Sequence, residues 1–130
     1  MKIKFGTSRF GNIEVEEDRI INFPEGLLGF SSLKRYILMD YKDTPLKWLQ
    51  AVDDPDVAFI VTGPSVISPG FSFRPDESTR QMLEIERDED VAILVIVRVD
   101  SGKVIANFNG PLILNAGNMK GVQVVLEKVF

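Results

Sequence analysis

The sequence predicts an all-β, mainly antiparallel fold, a small barrel-like arrangement of short strands with one short helix. Three observations carry this. A chain of 130 residues, 45% hydrophobic and 26% charged, fits one folded domain over residues 1–130 with a core of its own. Its apolar residues come in many short runs broken by Gly, Pro, Asn and Asp, the punctuation of a sandwich or barrel. The longest run, Val91–Val97, suits a buried strand and falls far short of the ~18–20 residues of a membrane span.

Ile3–Phe5 and Ile13–Glu16 open the chain as strands, with Phe10-Gly11-Asn12 as the turn between them. Ile20–Phe23 follows, and Pro24–Gly29 reads as a loop. Tyr36–Tyr41 and Leu46–Gln50 are the next strands. In the second, Leu46, Trp48 and Gln50 share one face by the two-residue period. Asp53–Asp56 is a turn and Val57–Thr62 a strand ended by Gly63-Pro64. Phe71–Phe73 is expected as a short edge strand. Ser78-Thr79-Arg80-Gln81 has capping-box form, which predicts a helix over Thr79–Glu84 with Ser78 as its N-cap. Val91–Val99 belongs at the centre of the sheet. Asp100–Lys103 turns it into Val104–Phe108, and Leu112–Leu114 and Val122–Leu126 complete the set. Closing the sheet, or nearly so, protects its edges. Trp48, Phe59 and Phe108 are expected in the core.

Composition excludes several kinds of chemistry. There is no cysteine, so thiolate chemistry, disulfides and zinc–sulfur sites are absent. There is no histidine either, which removes the usual neutral-pH base and the commonest nitrogen ligand. No cofactor and no metal site are expected. The formal charge of −4 disfavours nucleic acid, which needs clustered cations, and suits a basic protein partner. The N-terminus has no apolar segment of signal-peptide type, so a cytoplasmic protein away from the membrane is expected.

Four motifs invite a functional reading. Ser31-Ser-Leu-Lys34 matches S-x-x-K, but the two companion motifs of that chemistry are missing, so it reads as a connection. Asp53-Asp54-Pro55-Asp56 is too tight and too proline-constrained for a calcium loop and reads as a turn with Asp-to-backbone bonds. Glu84–Asp90 holds five acids and one Arg, a net −4 equal to that of the chain. It is either a solvated turn with gatekeeper charges or a patch that steers a basic partner. Asn107–Asn115 contains the tight-turn pair Asn109-Gly110 followed by Pro111, which belongs at a strand start or edge. Its Asn side chains offer paired donors and acceptors to a partner. Phe10, Phe71 and Phe73 lie beside polar or turn residues and are candidate interface anchors if exposed. The surface expected to bind partners comprises Phe71, Phe73, Glu77, Glu84, Glu86, Asp88, Glu89, Asp90, Asn107, Asn109, Pro111 and Asn115, with no catalytic residue.

Ala106-Asn-Phe-Asn-Gly-Pro-Leu-Ile-Leu-Asn-Ala116, followed by Gly121-Val-Gln-Val-Val-Leu126, resembles the C-terminal signature of the FliW family. Phe23-Pro-Glu-Gly-Leu-Leu-Gly-Phe30, Leu46–Gln50, Pro55–Phe59 and Glu89–Ala92 are similar to upstream elements of that family in the same order. Phe108 and Gly110 depart from its usual Leu and Ala. The resemblance runs from about Phe5 to Leu126. It implies a flagellar assembly factor of barrel-like fold that binds the C-terminal region of new flagellin. It also implies binding to the carbon storage regulator CsrA, a small RNA-binding dimer that represses flagellin translation. The two partners would exclude one another. The alternatives from the residues alone are a small carboxylate-dependent hydrolase and a purely structural β-module.

Overall fold

The structure, a computed structural model, describes residues 1–126. Among these residues ten strands form: β1 (Lys2–Thr7), β2 (Gly11–Glu16), β3 (Ile21–Asn22), β4 (Arg35–Asp40), β5 (Lys47–Ala51), β6 (Ala58–Thr62), β7 (Val91–Asp100), β8 (Lys103–Ala106), β9 (Leu112–Asn115) and β10 (Lys120–Gln123). Two short helices, α1 (Pro64–Ile67) and α2 (Glu77–Met82), lie between β6 and β7. The mainly antiparallel all-β expectation holds, with a second helix that the sequence reading did not include.

The second sheet closes on itself. Its order is β6-β5-β4-β3-β10-β9-β7-β8, and β6 also pairs with β7. Seven strands therefore make a ring, and β8 hangs from one end of β7. All pairs are antiparallel except β3 with β10. Closure satisfies backbone groups that an open edge would leave bare. β7 is central, as expected. One of its edges pairs with β6, while the other pairs first with β9 and then with β8.

Three apolar clusters hold this together. Inside the ring, Phe23, Tyr36, Leu49, Ala51, Val61 and Leu112 are sealed from solvent. On the outside of β4 and β5, Ile37 and Val52 are covered by Ile3, Phe5, Ile13 and Val15 of the β1–β2 hairpin. On the outside of β9 and β10, Ile113 and Val122 are covered by Phe73, Leu83 and Ile85 from the strap that runs through α2. A sheet with both faces covered tolerates the continuous apolar runs seen in β7 and β9.

Gly121 shows how tight the interior is. A methyl group there would lie 2.7 Å from both Leu114 Cδ2 and Phe23 Cε1. Those neighbours sit in a packed interior with little room to move. Gly121→Ala is expected to destabilise by about 1–3 kcal/mol through overpacking, read as a lower denaturant midpoint at unchanged slope. An unchanged midpoint would show that Phe23 can yield.

Several local expectations need correction. Phe71–Phe73 forms no strand. The segment lies between Pro69 and Pro75, and its aromatics pack downward, Phe73 into the outer cluster and Phe71 against Phe108 at 5.2 Å. The helix starts two residues early, because Asp76 and not Ser78 is its N-cap: Asp76 Oδ1 accepts from the Thr79 amide at 2.8 Å. A carboxylate is the stronger acceptor for that donor. Trp48 is half-buried on the outer face of β5, and Phe108 lies beyond the end of β8, so neither is a core residue. The last strand ends at Gln123 rather than Leu126, although Val124 and Leu126 still donate to the carbonyls of Pro111 and Asn109.

Candidate protein-binding surface

The Asn107–Pro111 stretch is not a hairpin turn. β8 and β9 do not pair with each other; both run along the same edge of β7 in the same direction. Residues 107–111 stand opposite only Val95 and Ile96, so they form a wide bulge between two pieces of one interrupted strand. Among the described residues, neither Asn109 nor Gly110 has the positive φ that a tight two-residue hairpin needs. Pro111 suits the place, since a bulge leaves a ladder donor unused.

The bulge is pinned from three sides. The Asn107 side chain accepts from the Asn109 amide at 3.2 Å. Gln123 Nε2 donates to the Gly110 carbonyl at 3.0 Å, while Gln123 Oε1 accepts from the Leu28 amide at 2.8 Å. Gln123 thus ties the bulge to the Pro24–Phe30 loop. Phe108 reaches out to the ring of Phe71 on the strap.

Asn115 does the same for the acidic segment. It is only 3% exposed. Its Nδ2 donates to the carbonyls of Leu83 and Glu84 at 2.9 and 3.2 Å, and its Oδ1 accepts from the Gly117 amide at 2.9 Å. Glu84, Glu86, Asp90, Asn115, Gly117 and Asn118 line an open hollow of about 350 Å³. Beside it, Arg74, Pro75, Arg80, Asp88 and Val91 line another of about 500 Å³.

The three segments expected from sequence are therefore neighbours in the fold. Glu77, Glu84, Glu86, Asp88, Glu89, Asn107 and Asn109 are exposed, and Phe71 and Asp90 are half-exposed. Phe73, Pro111 and Asn115 face inward and hold the surface from beneath. The acids are partly neutralised: Asp88 pairs with Arg80, Glu89 with Arg87 and Glu84 with Lys120. Such exposed pairs contribute little stability each.

Their protonation carries a sign. Asp76 lies below its ordinary 3.8 because the Thr79 amide bonds its charged form, and Glu84 lies below 4.5 because of Lys120. A folded value below the unfolded one favours the fold above the ordinary range, and this is lost as pH falls through the folded value. Both groups tie down the strap. Amide protection in Glu77–Met82 is expected to fall before that of the ring strands as pH drops from about 5 to about 3. Simultaneous loss everywhere would contradict this. Among the described residues the carboxylates with a displaced value, including Asp40, Asp53 and Glu89, all move downward, whereas a general acid needs the opposite shift.

One surface escaped the sequence reading. Beyond its pairing with β6, β7 continues with β8 as a projecting arm. Val99, Val104 and Ile105 on it are 61%, 45% and 40% exposed, and the outer edge of β8 has no strand partner among the described residues. The apolar run Val91–Val97 reads as uniformly buried, and nothing apolar marks where the strand leaves the core. Only Arg98, Asp100 and Lys103 signal that its far end leaves the core. Among the described residues no three potential metal ligands converge, and no helix is long and apolar enough to cross a membrane.

A model of the FliW protein family matches residues 4–129 of this chain. The flagellar assembly factor FliW of Syntrophus aciditrophicus is 41% identical over 129 residues, covering 96% of this chain and 81% of that protein. Its counterpart from Thermoanaerobacter pseudethanolicus is 40% identical over 129 residues, covering 96% and 86%. A crystal structure of the flagellar assembly factor FliW superposes with a TM-score of 0.90, at 32% identity, over 98% of this chain and 91% of that one. Fold and matches together define a small β-ring assembly factor and not an enzyme. The chain belongs to the FliW family of flagellar assembly factors.

Proposed function

We propose that this chain is a cytoplasmic partner switch that binds the C-terminal region of newly made flagellin and, in its absence, sequesters CsrA. It touches no nucleic acid or membrane directly. The observation that carries this reading is the family match across residues 4–129. When flagellin accumulates it occupies the protein and leaves CsrA free to repress. When flagellin is exported, the released protein withdraws CsrA from messenger RNA. Competing ligands that share one pool shift each other by mass action.

The chemistry of the surface agrees with such partners. An RNA-binding protein must be basic, and the rim formed by Glu77 and Glu84–Asp90 is acidic. Phe71, Asn107 and Asn109 supply an aromatic anchor and adaptable hydrogen bonding beside it, with Phe73, Pro111 and Asn115 as their support. A terminal segment that is unstructured before assembly suits an open strand edge, and β8 offers one.

Glu86 makes no ion pair among the described residues, and Glu77 lies on the exposed side of α2. The double variant Glu77→Lys, Glu86→Lys is expected to slow CsrA association by about tenfold at low salt, with the difference shrinking as salt rises. Stopped-flow association with both proteins checks this. An unchanged rate at low salt would remove the acidic rim from the interface.

A further inference from the structure

The tip of the β1–β2 hairpin folds over the outer face of β5, where the chain's single tryptophan lies. Phe10 meets the Trp48 ring edge-on, with centroids 5.7 Å apart, and Tyr41 lies tilted against it at 5.4 Å. The Arg9 guanidinium carbon sits 4.4 Å from the centre of the Trp48 ring. Among the described residues Arg9 makes no ion pair and no side-chain hydrogen bond, so the face of the Trp48 ring is what holds its guanidinium.

The tip does not need Arg9 to keep its shape. Thr7 Oγ1 donates to the Gly11 carbonyl at 2.8 Å and accepts from the Phe10 amide at 2.8 Å. The Ser8 amide donates to the Pro55 carbonyl at 2.9 Å, and its hydroxyl donates to Asp56. The backbone is therefore fixed by Thr7 and Ser8, while the Arg9 side chain is exposed and free to swing aside. Lys47, next to Trp48 in the strand, is paired with Asp40 and does not add an uncompensated charge.

We propose that the Trp48 platform, flanked by Phe10 and Tyr41, is a docking site for an arginine side chain of a protein partner, with Arg9 as the resident occupant it displaces. The platform already accepts a guanidinium, whose flat, weakly hydrated face stacks on an aromatic ring better than an ammonium does. The site lies on the hairpin side of the ring, over β4 and β5, whereas the acidic rim is built on β7, β9, β10 and the strap. It rests on the reading that this chain binds protein partners and adds to it a second, chemically specific contact.

Trp48 is its own reporter, since no other tryptophan contributes to the emission. The test titrates full-length protein with blocked tri-arginine, tri-lysine and tri-glutamate peptides while Trp48 fluorescence is followed, in the wild type and in Arg9→Ala. Arg9→Ala is expected to leave the melting temperature within a degree or two and to bind tri-arginine about fivefold more tightly than wild type, because the resident competitor is gone. Tri-lysine should bind more weakly, tri-glutamate should not respond, and adding Phe10→Ala should cancel the gain. Equal responses to the three peptides, no gain on removing Arg9, or a large loss of stability in Arg9→Ala would each overturn the proposal. Neither flagellin nor CsrA is used, so failure here leaves the partner switch standing, and failure of the switch leaves this result intact.

Discussion

Gly26→Ala is expected to destabilise the fold by about 3–5 kcal/mol. Gly26 has φ +67°, and a methyl group there would lie 2.6 Å from the Phe30 carbonyl oxygen and 2.7 Å from Ser31 Cα. Both are backbone atoms, so no side-chain rotation relieves the clash. The Pro24–Phe30 loop is also tied down on either side of the glycine. The Gly26 amide donates to the Phe23 carbonyl at 2.9 Å, and Leu27 is buried in the ring. Gly29→Ala is the matched control. It has φ +82° but nothing within 4 Å of the added methyl, so it carries conformational strain alone, about 1 kcal/mol. Denaturant unfolding of the two variants checks this; equal losses would mean that the loop moves aside without penalty.

The second large effect belongs to Asn115. Replacing it with alanine removes three hydrogen bonds and leaves the Gly117 amide and the Glu84 carbonyl without that partner. The Leu83 carbonyl keeps a bond from Asn118 Nδ2 at 2.9 Å, which limits the damage. A loss of about 2 kcal/mol follows, or roughly 6–10 °C in melting temperature. Asn115→Asp should be worse despite its equal size, because a buried carboxylate would face two carbonyl oxygens it cannot donate to. Calorimetric melting of the pair separates these cases, and an aspartate variant as stable as wild type would contradict the hydrogen-bond assignment. Both variants should also loosen Leu83 and α2, and with them the acidic rim.

Most of the ring was legible because strand period and turn chemistry agree there. The runs at Tyr36–Tyr41, Val57–Thr62 and Val91–Val99 each became a strand within a residue or two of the expected bounds. Two of the misses share one physical cause: non-local packing decided what local pattern could not. Phe71–Phe73 has strand composition, but its rings are drawn toward Phe108 and the cluster around Leu83. Asn109-Gly110 has hairpin chemistry, but β7 is long enough to pair with both flanking strands, and the turn becomes a bulge. Trp48 reads as core by its neighbours, yet it alternates with Leu49 and Ala51 and so faces outward.

Of the candidate surface, sequence located the segments but not the division of labour within them. Asn115 has the same side chain as Asn107 and Asn109, and only burial shows that it builds the rim together with Pro111 while they are presented on it. The residues that carry the family resemblance turn out to be joints. Gly26 closes the loop on Phe23, Gly121 lets Phe23 and Leu114 approach, Gln123 bridges loop to bulge, and Asn115 holds the strap. They fix the relative positions of the surfaces that would meet partners.

The most direct test of the switch is calorimetric titration of the purified protein with CsrA, repeated after saturation with a flagellin C-terminal fragment. Tight CsrA binding that the fragment abolishes is expected. Binding to neither partner at low and moderate salt, or CsrA binding that the fragment leaves unchanged, would contradict it.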